Sequence, residues 1–285
     1  MFVLILSTCS LACSPTTPPD TLDFIDAVKR GWTYTATEGR LDMGGPLALS
    51  VTSAGADVHL LLDAGTTFLG PDDIQPAVIT EDMLVFVPAG STEELLLPSA
   101  CGSADAMGAS EGMVYDAGVS KLSDELGQVL DRINAELSPM ENAAQEVIWV
   151  YTDDHDFSSV FVPAAEERTL LNIFEEEVEG FEDPGYAVRY REPDPEEGTR
   201  FSGEAMEARC SFPVDAPRAM DCRVVLEQPD GETFTLIDDL DVGSGFRIYT
   251  LTVGLEGYPP GTYQMRLEGK RFGNVIVSRE MRLQG

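Results

Sequence analysis

Short apolar runs, each closed by glycine, proline or aspartate, dominate both ends of this chain and restrict what it can fold into. Trp32-Thr33-Tyr34-Thr35, Leu47-Ala48-Leu49-Ser50-Val51, Val58-His59-Leu60-Leu61-Leu62, Met83-Leu84-Val85-Phe86-Val87 and Glu94-Leu95-Leu96-Leu97 are β-prone. Gly44-Gly45-Pro46, Gly55-Ala56-Asp57, Gly70-Pro71-Asp72-Asp73 and Pro88-Ala89-Gly90 separate them. Runs this short cannot complete a stable helix, and their spacing predicts a sandwich or barrel. From about residue 201 the pattern returns, with Gln228-Pro229-Asp230-Gly231-Glu232 as a hairpin turn.

Between these stretches the period changes. Val119, Leu122, Leu126, Val129, Leu130, Ile133 and Leu137 recur at helical spacing and form one apolar face. Ser138-Pro139-Met140-Glu141 is a capping box with proline at the first helical position, so a second helix runs through Gln145 to about Tyr151. A third helix is expected over 164–179, with Leu170, Leu171, Ile173, Phe174 and Val178 on its buried side. The expectation is a mainly β chain with a helical segment. Residues 30–190 form an N-terminal β-sandwich with two or three helices, 191–200 a linker, and 201–285 a second β-sandwich.

At 285 residues and 43% hydrophobic, the chain can bury a sizeable core. Its 50 acidic against 18 basic side chains leave a formal charge of −32. That surface repels phosphate backbones and anionic headgroups, which argues against nucleic-acid partners. Lys29, Lys121 and Lys270 are the only lysines. Acid-rich, lysine-poor surfaces suit a salty medium, and a genome that favours arginine codons produces the same scarcity.

Residues 1–13, MFVLILSTCSLAC, resemble a lipoprotein signal peptide with its lipobox, and 14–29 read as a tether. Cys9 and Cys13 compete as the lipidated residue. The missing positive leader suggests a start placed too far downstream. The apolar run is shorter than the ~20 residues a bilayer crossing takes, so the membrane is reached through a lipid anchor only. Export puts the other cysteines in an oxidising compartment, where Cys210 and Cys222 are disulfide candidates and Cys101 is left over.

Three features between residues ~57 and 152 belong together: Val58 through Phe68 followed by Gln75; Leu95-Leu96-Leu97-Pro98-Ser99-Ala100-Cys101; and Ala143-Ala144-Gln145-Glu146-Val147-Ile148-Trp149. A strand ending in cysteine, then a helix with Gln-x-x-hydrophobic-Trp, resembles the thioester domains of bacterial surface adhesins. The resemblance implies that the Cys101 thiol and the Gln145 carboxamide condense with loss of ammonia, with Ile148 and Trp149 packed behind. Such a thioester acylates an amine or hydroxyl on another surface. The plainer alternative makes Cys101 a buried small hydrophobe and Gln145 a hydrogen-bond partner of strand ends. The stretch Tyr258-Pro259-Pro260-Gly261-Thr262-Tyr263 before an alternating strand resembles immunoglobulin-like or fibronectin-type modules, which implies a fold and no activity.

His59 and His155 are the only histidines, so a histidine-rich zinc site or a Ser-His-Asp triad is not expected. Asp153, Asp154 and Asp156 are candidate Ca²⁺ ligands without EF-hand spacing; no other cofactor is expected. The functional expectation is a non-enzymatic, exported, lipid-anchored envelope protein that binds a protein or glycan ligand at a surface. Covalent adhesion through Cys101 and Gln145, and an accessory role in an envelope assembly, are the alternatives.

Overall fold

A computed structural model describes residues 18, 20–39, 47–104, 106–137, 141–191 and 203–284. The lipobox with Cys9 and Cys13, the capping residues Ser138-Pro139-Met140 and the expected linker lie outside the described residues, save Arg191. The fold is mainly β with few helices. Strands β1 (Thr21–Asp23), β2 (Thr33–Thr37), β3 (Leu47–Thr52), β4 (Val58–Leu62), β5 (Thr66–Leu69) and β6 (Ala77–Ile79) come first, with helix α1 (Phe24–Lys29) after β1. Then follow β7 (Met83–Val87), β8 (Thr92–Leu97), β9 (Ser99–Cys101), β10 (Val114–Tyr115) and β11 (Gly118–Lys121). Helices α2 (Asp124–Glu136), α3 (Glu141–Thr152) and α4 (Glu167–Glu177) form the middle. The last strands are β12 (Tyr186–Tyr190), β13 (Ala205–Ala216), β14 (Met220–Glu227), β15 (Thr233–Val242), β16 (Gly245–Gly254), β17 (Gly261–Gly269) and β18 (Val275–Leu283).

The first eleven strands form three small sheets, ordered β1-β4-β7, β10-β2-β3-β8 and β11-β5-β6-β9. Alternation explains their faces: Leu47, Leu49 and Val51 of β3 and Val58, Leu60 and Leu62 of β4 point into one core. The third sheet is buried on both sides. Ala77, Ile79 and Phe68 join that strand core, whereas Val78, Ala64 and Ala100 pack against the helices. This two-sided burial is why Ala77-Val78-Ile79 is apolar at every position rather than at every second one.

Helix α2 is capped by the Ser123 side chain, which accepts the Leu126 N–H at 3.1 Å. Leu126, Val129, Leu130 and Ile133 line its buried face, each contributing about 1.5–3 kcal/mol by leaving water. Val119, expected on this helix, lies in β11 opposite Phe68 instead. On the wet side Arg132 holds Glu136, Glu176 and Glu177, tying α2 to α4.

Two boundaries differ from expectation. Residues 21–29 are not tether: β1 pairs in parallel with β4, and Phe24 and Ala27 are fully buried in the strand core. Apolar Phe24 pays too large a hydration penalty to remain in a solvated arm. Likewise β12 belongs to the C-terminal unit. It pairs with β13 from Tyr186↔Cys210 to Tyr190↔Ala205, so the chain changes unit near residue 184, before the polar 191–200 stretch.

The C-terminal strands form sheets β12-β13-β16 and β15-β14-β17-β18, and both sheets supply one hydrophobic core. The expected hairpin is there: Gly231, at φ +88°, donates its N–H to the Gln228 carbonyl between β14 and β15. Tyr263 is fully buried, and its hydroxyl donates to the Pro259 carbonyl at 2.6 Å. Cys210 and Cys222 are not paired. They sit in strands of different sheets and are free, buried thiols. β13 and β14 do not pair with each other: β13 lies between β12 and β16, and β14 between β15 and β17.

Arg209 links the two units. Its buried guanidinium donates to the Val162 carbonyl at 2.9 Å, lies 3.4 Å from the Glu167 carboxylate, and stacks 4.4 Å over the Phe161 ring. Among the described residues no helix is long and apolar enough to cross a membrane.

Candidate functional site around Cys101

Cys101 ends β9, the last strand of the third sheet, where one backbone edge has no strand neighbour among the described residues. Gln145, one turn into α3, takes that edge. Its Oε1 accepts the Cys101 N–H at 2.7 Å, and its Nε2 donates to the Cys101 carbonyl at 2.5 Å. The carboxamide thus acts as a one-residue strand and lies flat against the Cys101 peptide. A second clamp sits two turns further along α3. Asp153 accepts the Ser103 hydroxyl and the Ala104 N–H, both at 3.0 Å. Helix α3 therefore fixes residues 101–104 from both of its ends.

On its other edge β9 pairs with β6, placing Cys101 opposite Ala77. Gly102 then donates its N–H to the Pro76 carbonyl at 2.7 Å. A Cβ at 102 would come within 3.1 Å of that carbonyl oxygen and 3.0 Å of the Val78 side chain. Glycine after Cys101 is thus a requirement of close backbone approach.

Register puts the Cys101 side chain on the Ala77 face of the sheet, away from the helices. There it shares a small pocket with Glu38, Gln75, Ser99, Ala109 and Tyr115. Glu38 follows β2 and is only 4% exposed. Tyr115 of β10 donates its hydroxyl to Glu38 Oε2. Among the described residues Glu38 Oε1 is buried without a hydrogen-bond partner, as is Oε1 of Gln75, whose Nε2 donates to the Ala106 carbonyl at 2.8 Å.

Burial pushes the Glu38 carboxyl from its ordinary 4.5 up to about 7, against the lowering effect of the Tyr115 hydrogen bond. Burial, with the nearby Glu38 charge, also pushes the Cys101 thiol up to about 12. The Tyr115 hydroxyl is raised by burial and by its bond to Glu38. A thiol in this setting is a poor free nucleophile and needs a neighbour to take its proton.

The structure brings the Gln145 carboxamide to the Cys101 peptide; on the same helix Ile148 is fully buried and Trp149 is 6% exposed. It also satisfies the plainer alternative, since Gln145 does bind a strand end. The three aspartates do not assemble. Asp153 is the loop clamp, Asp154 turns the chain at φ +55°, and Asp156 accepts the Ser158 N–H at the start of a 3₁₀ turn. Among the described residues no cluster of three His, Cys, Asp or Glu side chains is arranged for a metal ion. The Asp153 and Asp156 carboxylates are instead engaged by the backbone N–H groups of Ala104 and Ser158. His59 lies in β4 against the Phe86 ring, at 5.3 Å.

Glu38 and Tyr115 were not singled out from the sequence. The available signal was parity: Tyr34, Ala36 and Glu38 share the inward face of β2, and a carboxylate at an inward position is out of place in a core.

No protein-family model matches this chain, and no curated protein matches it significantly. Among solved structures it is similar to a calcium-binding mutant of Bacteroides uniformis β-glucuronidase 2, at 15% identity and a TM-score of 0.25 over 34% of this chain and 13% of that one. It is also similar to DesR, a β-glucosidase from Streptomyces venezuelae in complex with D-glucose, at 10% identity and a TM-score of 0.20. That match covers 88% of this chain and 47% of the other. The chain thus spans less than half the length of either, and TM-scores this low carry neither fold nor activity across.

Proposed function

We propose that this chain is an exported, lipid-anchored protein of the cell envelope that attaches covalently to another surface through a Cys101–Gln145 thioester. On this reading the first eleven strands form a sandwich that carries the bond, and the last seven strands form an immunoglobulin-like sandwich that displays it. The observation that carries the reading is the Gln145 carboxamide held against the Cys101 peptide by two hydrogen bonds, 44 residues apart in sequence. Thiol attack on the carboxamide carbon forms the C–S bond and breaks the C–N bond. The departing nitrogen takes a proton and leaves as ammonia.

Intact mass tests it. The purified chain should be ~17 Da lighter than its sequence mass, by loss of ammonia, and Cys101→Ala and Gln145→Ala should each remove the deficit. A full-mass wild type, kept free of amines and reductants, defeats the covalent reading. Export and anchoring are tested by metabolic labelling with palmitate. Label should fall to background in Cys9→Ala or in Cys13→Ala, whichever residue is acylated.

Non-covalent binding is the second reading, and it draws on a different observation. Among the described residues β16 has a neighbour on one side only, and it exposes Phe246 (67%) and Ile248 (63%). Free strand edges with apolar side chains accept a further strand. If this edge is the contact, Phe246→Lys and Ile248→Lys abolish retention on isolated envelopes, and Cys101→Ala does not.

A further inference from the structure

Strand β7 ends its sheet: among the described residues it has β4 on one side and no strand on the other. Sheet edges are commonly guarded by charged side chains, because bare N–H and C=O groups recruit another strand. In this chain the edge strands β8, β11, β12, β15, β16 and β18 all carry charge, for example Glu93, Lys121 and Arg247. Met83-Leu84-Val85-Phe86-Val87 is, among the described strands, the one sheet edge longer than three residues without a charge. Ladder parity shows which of its groups face outward. The His59 N–H donates to the Asp20 carbonyl, on the β1 side of β4. Alternation turns the backbone groups of Val58, Leu60 and Leu62 towards β7, where they meet Val87, Val85 and Met83. The N–H and C=O groups of Leu84 and Phe86 therefore point to the open edge. Their side chains stand on the outer face, 45% and 50% exposed, opposite Leu61 and His59 of β4.

We propose that a second copy of this chain occupies this edge, the two β7 strands pairing antiparallel about a twofold axis at Val85. The inference needs neither the lipid anchor nor the thioester. In this register Leu84 lies opposite Phe86 of the second copy, and the two residues exchange both N–H···O=C bonds. Their side chains meet as apolar cross-strand pairs. Glu81 and Asp82 of one strand then lie beside Pro88 and Ala89 of the other, whereas parallel pairing would set the two acidic ends side by side. Two carboxylates near the strand ends are already engaged, Asp82 by the Ala64 N–H and Asp57 by the Ala89 N–H, both at 2.7 Å. A twofold pair closes on itself and leaves no bare β7 edge to recruit a third copy.

A formal charge of −32 on each copy opposes the contact, and salt confines that repulsion to ~10 Å or less. Association therefore strengthens as salt rises, the reverse of an interface built on ion pairs. Two short strands make a small interface beside the ~1,600 Å² of a standard one, so the dimer is weak and depends on concentration.

The test is sedimentation velocity of the full chain under reductant, over concentrations up to ~1 mM and from low to ~1 M salt. Wild type should pass from monomer to dimer and no further, more readily at high salt. Leu84→Glu combined with Phe86→Glu sets like charges opposite each other in both pairs and should leave only monomer. Leu84→Lys combined with Phe86→Glu sets opposite charges there and should restore the dimer. A second measurement does not depend on how those variants fold. On mild oxidation Val85→Cys should form a disulfide-linked dimer beyond any in wild type, because the two Cα atoms lie about 4.5 Å apart across the axis, whereas Met83→Cys should not. Monomer at every concentration and salt overturns the inference. So do oligomers larger than two, or association that survives Leu84→Glu with Phe86→Glu, which would put the contact elsewhere. Equal cross-linking of Val85→Cys and Met83→Cys refutes the register and the twofold with it.

Discussion

Replacing Glu38 by glutamine should make the protein more stable above neutral pH and barely change it in mild acid. The fold holds this carboxyl at about 7 against an ordinary 4.5, chiefly through burial. Each tenfold change in a protonation equilibrium is worth ~1.4 kcal/mol, so the native state carries a penalty of about 3 kcal/mol once both states are ionised. The sign follows from proton binding. Below 4.5 folded and unfolded chains are both protonated and no penalty exists. Between 4.5 and 7 the unfolded chain gives up its proton first, and stability falls as pH rises. Above 7 the loss is complete. Glutamine has the same shape, accepts the Tyr115 hydroxyl through its carbonyl oxygen, and carries no charge to desolvate. Urea denaturation at pH 8 should therefore show Glu38→Gln more stable by about 3 kcal/mol, and at pH 5 by under ~1 kcal/mol. Asp131, which burial and the Asp82 charge push up to about 6, adds to the acid preference of both proteins and cancels in the difference. Equal stability differences at pH 5 and pH 8 would refute the assignment of the penalty to Glu38 ionisation.

Tyr263→Phe removes the hydroxyl that holds Pro259 at the corner before β17, and should cost about 1 kcal/mol in chemical denaturation; no change would mean the corner is held by packing alone. Arg209→Met strips the Val162 carbonyl and Glu167 of their partner and should cost about 2 kcal/mol, with a change inside the noise showing that the units do not depend on this bridge. Cys210 and Cys222 should both alkylate in denaturant without added reductant, in contrast to the bridge expected from an exported chain; resistance to alkylation would show a disulfide.

The mainly β character, the three middle helices and the turn at Gly231 were legible in the sequence, because each depends on local periodicity and turn chemistry within a few residues. That Gln145 hydrogen-bonds the strand end at Cys101 was legible too, through residue types set at the end of a strand and on one face of a helix. The sequence could not assign β12 to the C-terminal sheet or bury Phe24 beneath β4, since strand partners are chosen by long-range fit of apolar faces. Nor could it separate Cys210 from Cys222, whose closeness in sequence says nothing about which sheet each strand joins. The Glu38 and Tyr115 pocket belongs to tertiary structure alone. A glutamate reads as solvated until β2, β6, β9 and β10 close around it, and only that desolvation changes its proton affinity and sets it beside the thiol.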